Sequence, residues 1–150
     1  KIIAERTARG FYTTVKYARI AAIEKQSDCK VVIDSEEGCY WLSLKVEMEE
    51  GEIDEEVIIR DIYSKPVRLG EGVEFENVRI KEISFEVLNE ASEENAIVFS
   101  SDGRSDSAVV QIGNGNDHYS VQVRGGTGRT YIFEGQVEEL EVNRVDLDLE

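Results

Sequence analysis

The stretch ARGFYTTVKYARIAAIEKQ, residues 8–26, decides how this chain is read. At 100° per residue, Ala4, Ala8, Phe11, Val15, Ala18 and Ala22 fall on one stripe with spacings of 4, 3, 4, 3 and 4. That is the pattern of a helix lying on a packed partner, and it predicts one long helix over residues 1–26. At about 1.5 Å per residue the helix spans roughly 40 Å, more than a core of this size covers, so part of it is expected to project. The small residues of the stripe let a sheet approach closely. Gly10 costs about 1 kcal/mol relative to Ala and marks a place where the helix can bend. Ser27 and Asp28 close it.

Beyond Asp28 the apolar period changes from 3.6 to 2. Val, Ile, Tyr and Phe alternate with polar residues, and Gly-containing turns separate the runs. Strands are predicted near 29–34, 39–46, 56–63, 72–76, 78–88, 96–100, 107–112, 118–124, 129–134 and 137–148. No second helix is available for parallel crossovers, so the fold class is α+β, a long N-terminal helix packed on mainly antiparallel sheet. With 150 residues and 41% apolar content, one domain over 1–150 is expected, helical over 1–26 and β-rich over 29–150.

Charge narrows the partners. The chain carries −15 in all, which repels a phosphate backbone, so nucleic acid is not an expected partner. Residues 1–26 hold six Lys or Arg against two Glu, a charge of +4, which leaves −19 on residues 27–150. A positive rod on a negative body can order neighbouring molecules, rod to body, in a salt-sensitive way. The run EMEEGEIDEE, residues 47–56, has seven carboxylates in ten positions and reads as a solvated loop.

Few residues offer chemistry. Cys29 and Cys39 flank a strand and a four-residue turn, Ser35 to Gly38. That register puts Asp34 opposite Cys39 and Cys29 opposite Leu44, with the two sulfurs on opposite faces, so free thiols are expected over a disulfide. His118 is the sole histidine. Its neighbour Asp117 points to the opposite face of a strand and is a poor orienter, so a turn or surface histidine is expected rather than a general base. RGGTGRT, residues 124–130, is followed by YIF, a strand and not a helix that could receive an anion, and reads as a hairpin turn. SDGRSDS (101–107) and GNGND (113–117) have the oxygens of a calcium loop without its spacing, and suit tight turns. Trp41, between Tyr40 and Leu42, is expected to pack the sheet against the helix. No catalytic residue, cofactor site or metal site is assigned.

Three short motifs carry a resemblance. They are Ala18-Arg19 with Ala22-Ile23 on the helix; Ile97 and Phe99 ahead of Asp102-Gly103; and Gly128-Arg129 with Ile132 in the closing hairpin. In that order, around CKVVID and CYWLSLK, the chain resembles the GspH/FimT group of minor pseudopilins and minor pilins. The resemblance implies a pilin-like fold and a structural, non-enzymatic subunit of a type II secretion pseudopilus, or else of a type IV pilus. It implies other pseudopilin or pilin subunits and exported proteins as partners. It also implies an inner-membrane anchor of about 20 apolar residues upstream, with this domain in the periplasm. Lys1 would then be internal to one continuous helix, and Glu5 would not be the family's glutamate at the fifth mature position. The acidic 47–56 run and the extension after Gly135 depart from the family pattern. That extension holds a single Arg among its carboxylates, so the DNA binding of some FimT-like pilins does not carry over. Taken without the resemblance, the residues leave a ligand- or calcium-binding β-domain open. An enzyme would need a pocket and a carboxylate beside His118.

Overall fold

The structure, a computed structural model, describes residues 2–46, 55–58, 65–81 and 95–136. Among the described residues a single α-helix, α1 (Ile2–Lys25), leads into nine strands: β1 (Cys29–Asp34), β2 (Cys39–Val46), β3 (Glu55–Ile58), β4 (Val67–Arg68), β5 (Glu74–Lys81), β6 (Asn95–Phe99), β7 (Ser107–Gly113), β8 (His118–Val123) and β9 (Thr130–Glu134). Among the described residues every strand pairing is antiparallel. One sheet has the order β3-β2-β1-β6, with β4 sharing the outer edge of β2, and the other the order β5-β7-β8-β9. Helix α1 lies across both.

All six stripe residues of α1 have zero exposure, and Thr14 and Ala21 are buried beside them. A stripe of alanines leaves room for strands, and Phe11 fills the space between the sheets. Its ring meets Tyr40 of the first sheet edge-on at 5.0 Å and Phe75 of the second at 5.8 Å. Such pairs add about 0.5–1.5 kcal/mol each beyond the area they bury. The helix runs unbroken through Gly10, where an added Cβ would stand 3.7 Å from the Tyr40 hydroxyl. It ends in a left-handed residue, Gln26 (φ 54°), with Gln26 N–H bonded to Ile23 O and Ser27 N–H to Ala22 O. Those two bonds are the Schellman closure, here on a residue other than glycine.

The expected overhang of the helix is not found between Ala4 and Ala22. The turn after β4 supplies the missing cover: Leu69 N–H bonds Gly38 O, and Gly70 sits so close to Ile3 and Thr7 that no Cβ fits there. Three further expectations need correction. Residues 72–76 and 78–88 do not begin as two strands, because β5 runs through with a bulge between Phe75 and Asn77. Glu55 and Glu56 of the acidic run belong to β3, where the register sets Glu56 across from Lys45. Trp41 does not pack against the helix. Tyr40 and Leu42 point inward and are buried, so the period of two turns Trp41, opposite Val32, to the outer face. The expected strand 137–148, the remainder of the acidic run, and the parts of the expected strands beyond Ile58 and Lys81 lie outside the described residues.

The β1–β2 register falls as expected, Asp34 opposite Cys39 and Cys29 opposite Leu44, and both cysteines are free and buried. Burial, with the charge of Asp28 adding to it, pushes the Cys29 thiol up to about 12. It is therefore a packed side chain and not a nucleophile.

Candidate functional site

The three motifs behind the resemblance are far apart in sequence, yet they meet at one side chain, Arg19, which reaches Gly103 and Thr127, 84 and 108 residues further along the chain. Arg19 rises from the C-terminal half of α1 and its Nε–H is shared between Gly103 O and Thr127 O, each at 3.1 Å. The first carbonyl belongs to the turn that follows β6, and the second to the β8–β9 turn. Each turn is tight for a local reason. Gly103 (φ 91°) closes back on Ser100 O, and Asp102 accepts from Ser100 Oγ and from the Arg104 backbone and guanidinium. Gly128 (φ 76°) donates to Arg124 O. A Cβ on Gly128 would overlap the Gly103 carbonyl oxygen and stand 2.8 Å from Arg19 Nε. The two turns thus meet backbone to backbone, and the helix joins them through the Arg19 side chain, whose guanidinium faces two carbonyl dipoles. Ala18, Ala22, Ile97 and Phe99 are buried in the core around this junction, and Ile132 packs against it.

Replacing Arg19 by Ala leaves both carbonyls without their cationic donor and is expected to cost about 1–3 kcal/mol, read as a lower urea midpoint at unchanged slope. Arg19→Lys should recover only part, since a flexible ammonium has no rigid Nε–H held in the guanidinium plane between the two acceptors.

Buried next to the turn, Asp106 was not distinguished from its turn neighbours by the sequence. Its carboxylate accepts the Val98 N–H at 2.9 Å and its own N–H bonds Val98 O, so it closes the edge of β6 before the chain enters β7.

His118, placed by the sequence in or near a turn, opens β8 half-buried. Its partner is Glu76, which no spacing announced: Nδ1 stands 2.7 Å from Glu76 Oε1. Glu76 is the extra residue of the β5 bulge. The bulge aims it across β7, where Gln111 Nε2 donates to it at 2.6 Å and the Gly115 N–H at 3.2 Å. Gly113 makes the space, since a Cβ there would meet the Glu76 carboxylate at 2.6 Å. Asn114 holds the turn by accepting the Asn116 and Asp117 N–H groups, the Asx geometry expected of GNGND. Ser120, on the same face as His118, gives its hydroxyl proton to Gly135 O at 2.7 Å. The imidazole–carboxylate pair thus stitches β5 to the β7–β8 hairpin, with the nearby hydroxyl committed elsewhere.

Burial acts to raise the Glu76 carboxyl, but hydrogen bonds from His118, Gln111 and the Gly115 amide, with the His118 charge adding, hold it below its ordinary value of 4.5. A carboxylate lowered on folding stabilises above its unfolded value, and the contribution disappears as pH falls through the lowered one. Melting temperature measured from pH 7 to 3 should therefore fall less steeply below about pH 4.5 in Glu76→Gln than in the parent. Equal slopes would remove Glu76 from the acid response.

Among the described residues no group of three or more His, Cys, Asp or Glu is placed to hold a metal ion, and no helix is long and apolar enough to cross a membrane. Glu5 pairs with Arg9 one turn on, at 3.2 Å on the exposed side of α1.

No protein-family model and no curated protein sequence matches the chain. Solved structures do. Two structures of the minor pseudopilin EpsH from the type 2 secretion system of Vibrio cholerae share its fold. One has a TM-score of 0.65 at 17% identity, covering 92% of this chain and 99% of the other. The second has a TM-score of 0.61, also at 17% identity, covering 87% and 96%. The fold is therefore pilin-like: a leading helix packed on antiparallel sheets.

Proposed function

We propose that this chain is a pseudopilin-type subunit that works by assembling with other pilin-like subunits in a type II secretion pseudopilus, and that it performs no bond chemistry. The observation that carries the reading is the near end-to-end fold likeness to a minor pseudopilin, 92% of one chain on 99% of the other. The Arg19 junction adds to it. The residues that suggested the family in the sequence are the ones that fix helix, β6 turn and β8–β9 turn to each other. A subunit of this kind needs a rigid coupling between the helix that packs in a filament and the strands that present its outer surface, and a shared hydrogen-bond donor among three elements supplies it. Exported proteins are a second class of partner, and the inner membrane is the site of assembly through a segment ahead of α1.

Deletion of the gene in its native host provides the test. Exported enzymes should accumulate in the periplasm and reappear in the medium when the full-length gene is restored. Normal export in the deletion strain would overturn the reading. The full-length product should also co-sediment with inner membrane and cross-link to other pseudopilins through a cysteine introduced at Ile20, which is 47% exposed on the outer side of α1.

A further inference from the structure

On the outer face of the first sheet, opposite the helix, a cleft of about 570 Å³ opens at the β1–β2 turn, with Val32, Asp34, Ser35, Glu36, Trp41 and Asn95 among its lining residues. Among the described residues the β1–β6 pairing ends at Ile33 with Asn95, which places Asn95 beside the end of β1 at this cleft. Its chemistry is mixed. Trp41, half-buried, is the one tryptophan of the chain, and the fold does not use it in the core. Asp34 spends one oxygen on the Glu37 N–H at 3.1 Å, and among the described residues neither Asp34 nor Glu36 has a cationic partner. An aromatic face beside two carboxylates, on a body that carries −19 over residues 27–150, is complementary to a cation on a flexible apolar stem.

We infer that this cleft binds a lysine or arginine side chain presented by a basic segment of a partner protein, the stem along Trp41 and the charge between Asp34 and Glu36. The inference goes beyond filament assembly and does not depend on it, since the cleft lies on the side of the sheet away from α1. Asn95, exposed at the rim, has a side-chain amide suited to the backbone of the incoming segment.

Trp41 is its own reporter. The chain is titrated with the peptide acetyl-Gly-Lys-Gly-Lys-Gly-amide at 0.15 M salt, and tryptophan emission is followed. A saturable change is expected, absent with the Gln-for-Lys peptide. The double variant Asp34→Asn, Glu36→Gln should weaken binding about tenfold, as the loss of two exposed ion pairs beside an aromatic allows. The double variant Glu71→Gln, Glu74→Gln removes the same charge from another exposed site and should change affinity less than twofold. Far-UV circular dichroism and the melting temperature of each variant verify its fold. Equal loss in the two double variants would mean diffuse attraction to an acidic surface and would overturn the inference. So would an emission change with chitotriose but not with the lysine peptide, which would make the cleft a sugar site. An unchanged spectrum with the lysine peptide would overturn it as well.

Discussion

Val15→Asp is expected to cost about 4–5 kcal/mol or more and to remove most of the cooperative melting of this protein. Val15 sits mid-stripe on α1 with zero exposure, in the cluster that includes Phe11, Tyr40 and Phe75. A carboxylate there must either remain charged with no water around it or take up a proton, and each course carries a penalty of several kcal/mol. Typical domains have only about 5–15 kcal/mol of stability in total, so one such substitution consumes a large part of it. The control is Thr13→Asp, two residues earlier on the exposed side of the same helix, which is expected to change stability by less than about 1 kcal/mol. A thermal melt by circular dichroism reads both. A Val15→Asp melting temperature within 2 °C of the parent would mean that the stripe does not face the sheets, since about 1 kcal/mol moves the midpoint of a domain this size by roughly 2–4 °C.

That prediction could be written from the sequence, and the reason is physical. A stripe of spacing 3 and 4 over 19 residues has one geometric meaning, and the alternation after Asp28 has another, so helix, sheets and the β1–β2 register were legible. Hairpin turns were legible for a similar reason, because Asp102-Gly103 and Gly128 supply positive φ where few other residues do. What escaped was tertiary or two-sided. Trp41 reads as core by its chemistry, and only the phase of the alternation, fixed by Tyr40 and Leu42, turns it outward. Glu76 was invisible as the partner of His118 because a bulge, which leaves no mark on local apolar spacing, re-aims its side chain across β7. Val67–Arg68, immediately after the sole Pro, is too short to show a period at all. Its turn nevertheless covers the start of the helix and removes the overhang that length alone implied. The Arg19 junction lay between these cases. Its members stood out as motif residues, but nothing in the one-dimensional pattern said that they touch.

Because they touch, Gly128→Ala should be far more damaging than its exposed hairpin position suggests. Two effects add. The residue holds φ 76°, where an L side chain costs roughly 1–2 kcal/mol. A methyl group would also overlap the Gly103 carbonyl oxygen and crowd Arg19 Nε, so either the β8–β9 turn or the turn after β6 must move, at a further 1–3 kcal/mol or so. The expected total is about 2–5 kcal/mol. Two residues earlier in the same turn, Gly126 supplies the comparison: its φ is 93°, yet nothing stands within 4 Å of an added Cβ. Gly126→Ala should therefore show the backbone strain alone, about 1–2 kcal/mol. The difference between the two substitutions measures the contact between turns, and it has a further consequence. If crowding at Arg19 is the cause, removing the guanidinium and removing the glycine disturb one junction, so Arg19→Ala combined with Gly128→Ala should cost about 1 kcal/mol less than the sum of the single changes. Strict additivity, or equal effects of Gly126→Ala and Gly128→Ala in urea unfolding, would show that the helix and the two turns are held independently, and the rigid coupling on which the assembly reading leans would be lost.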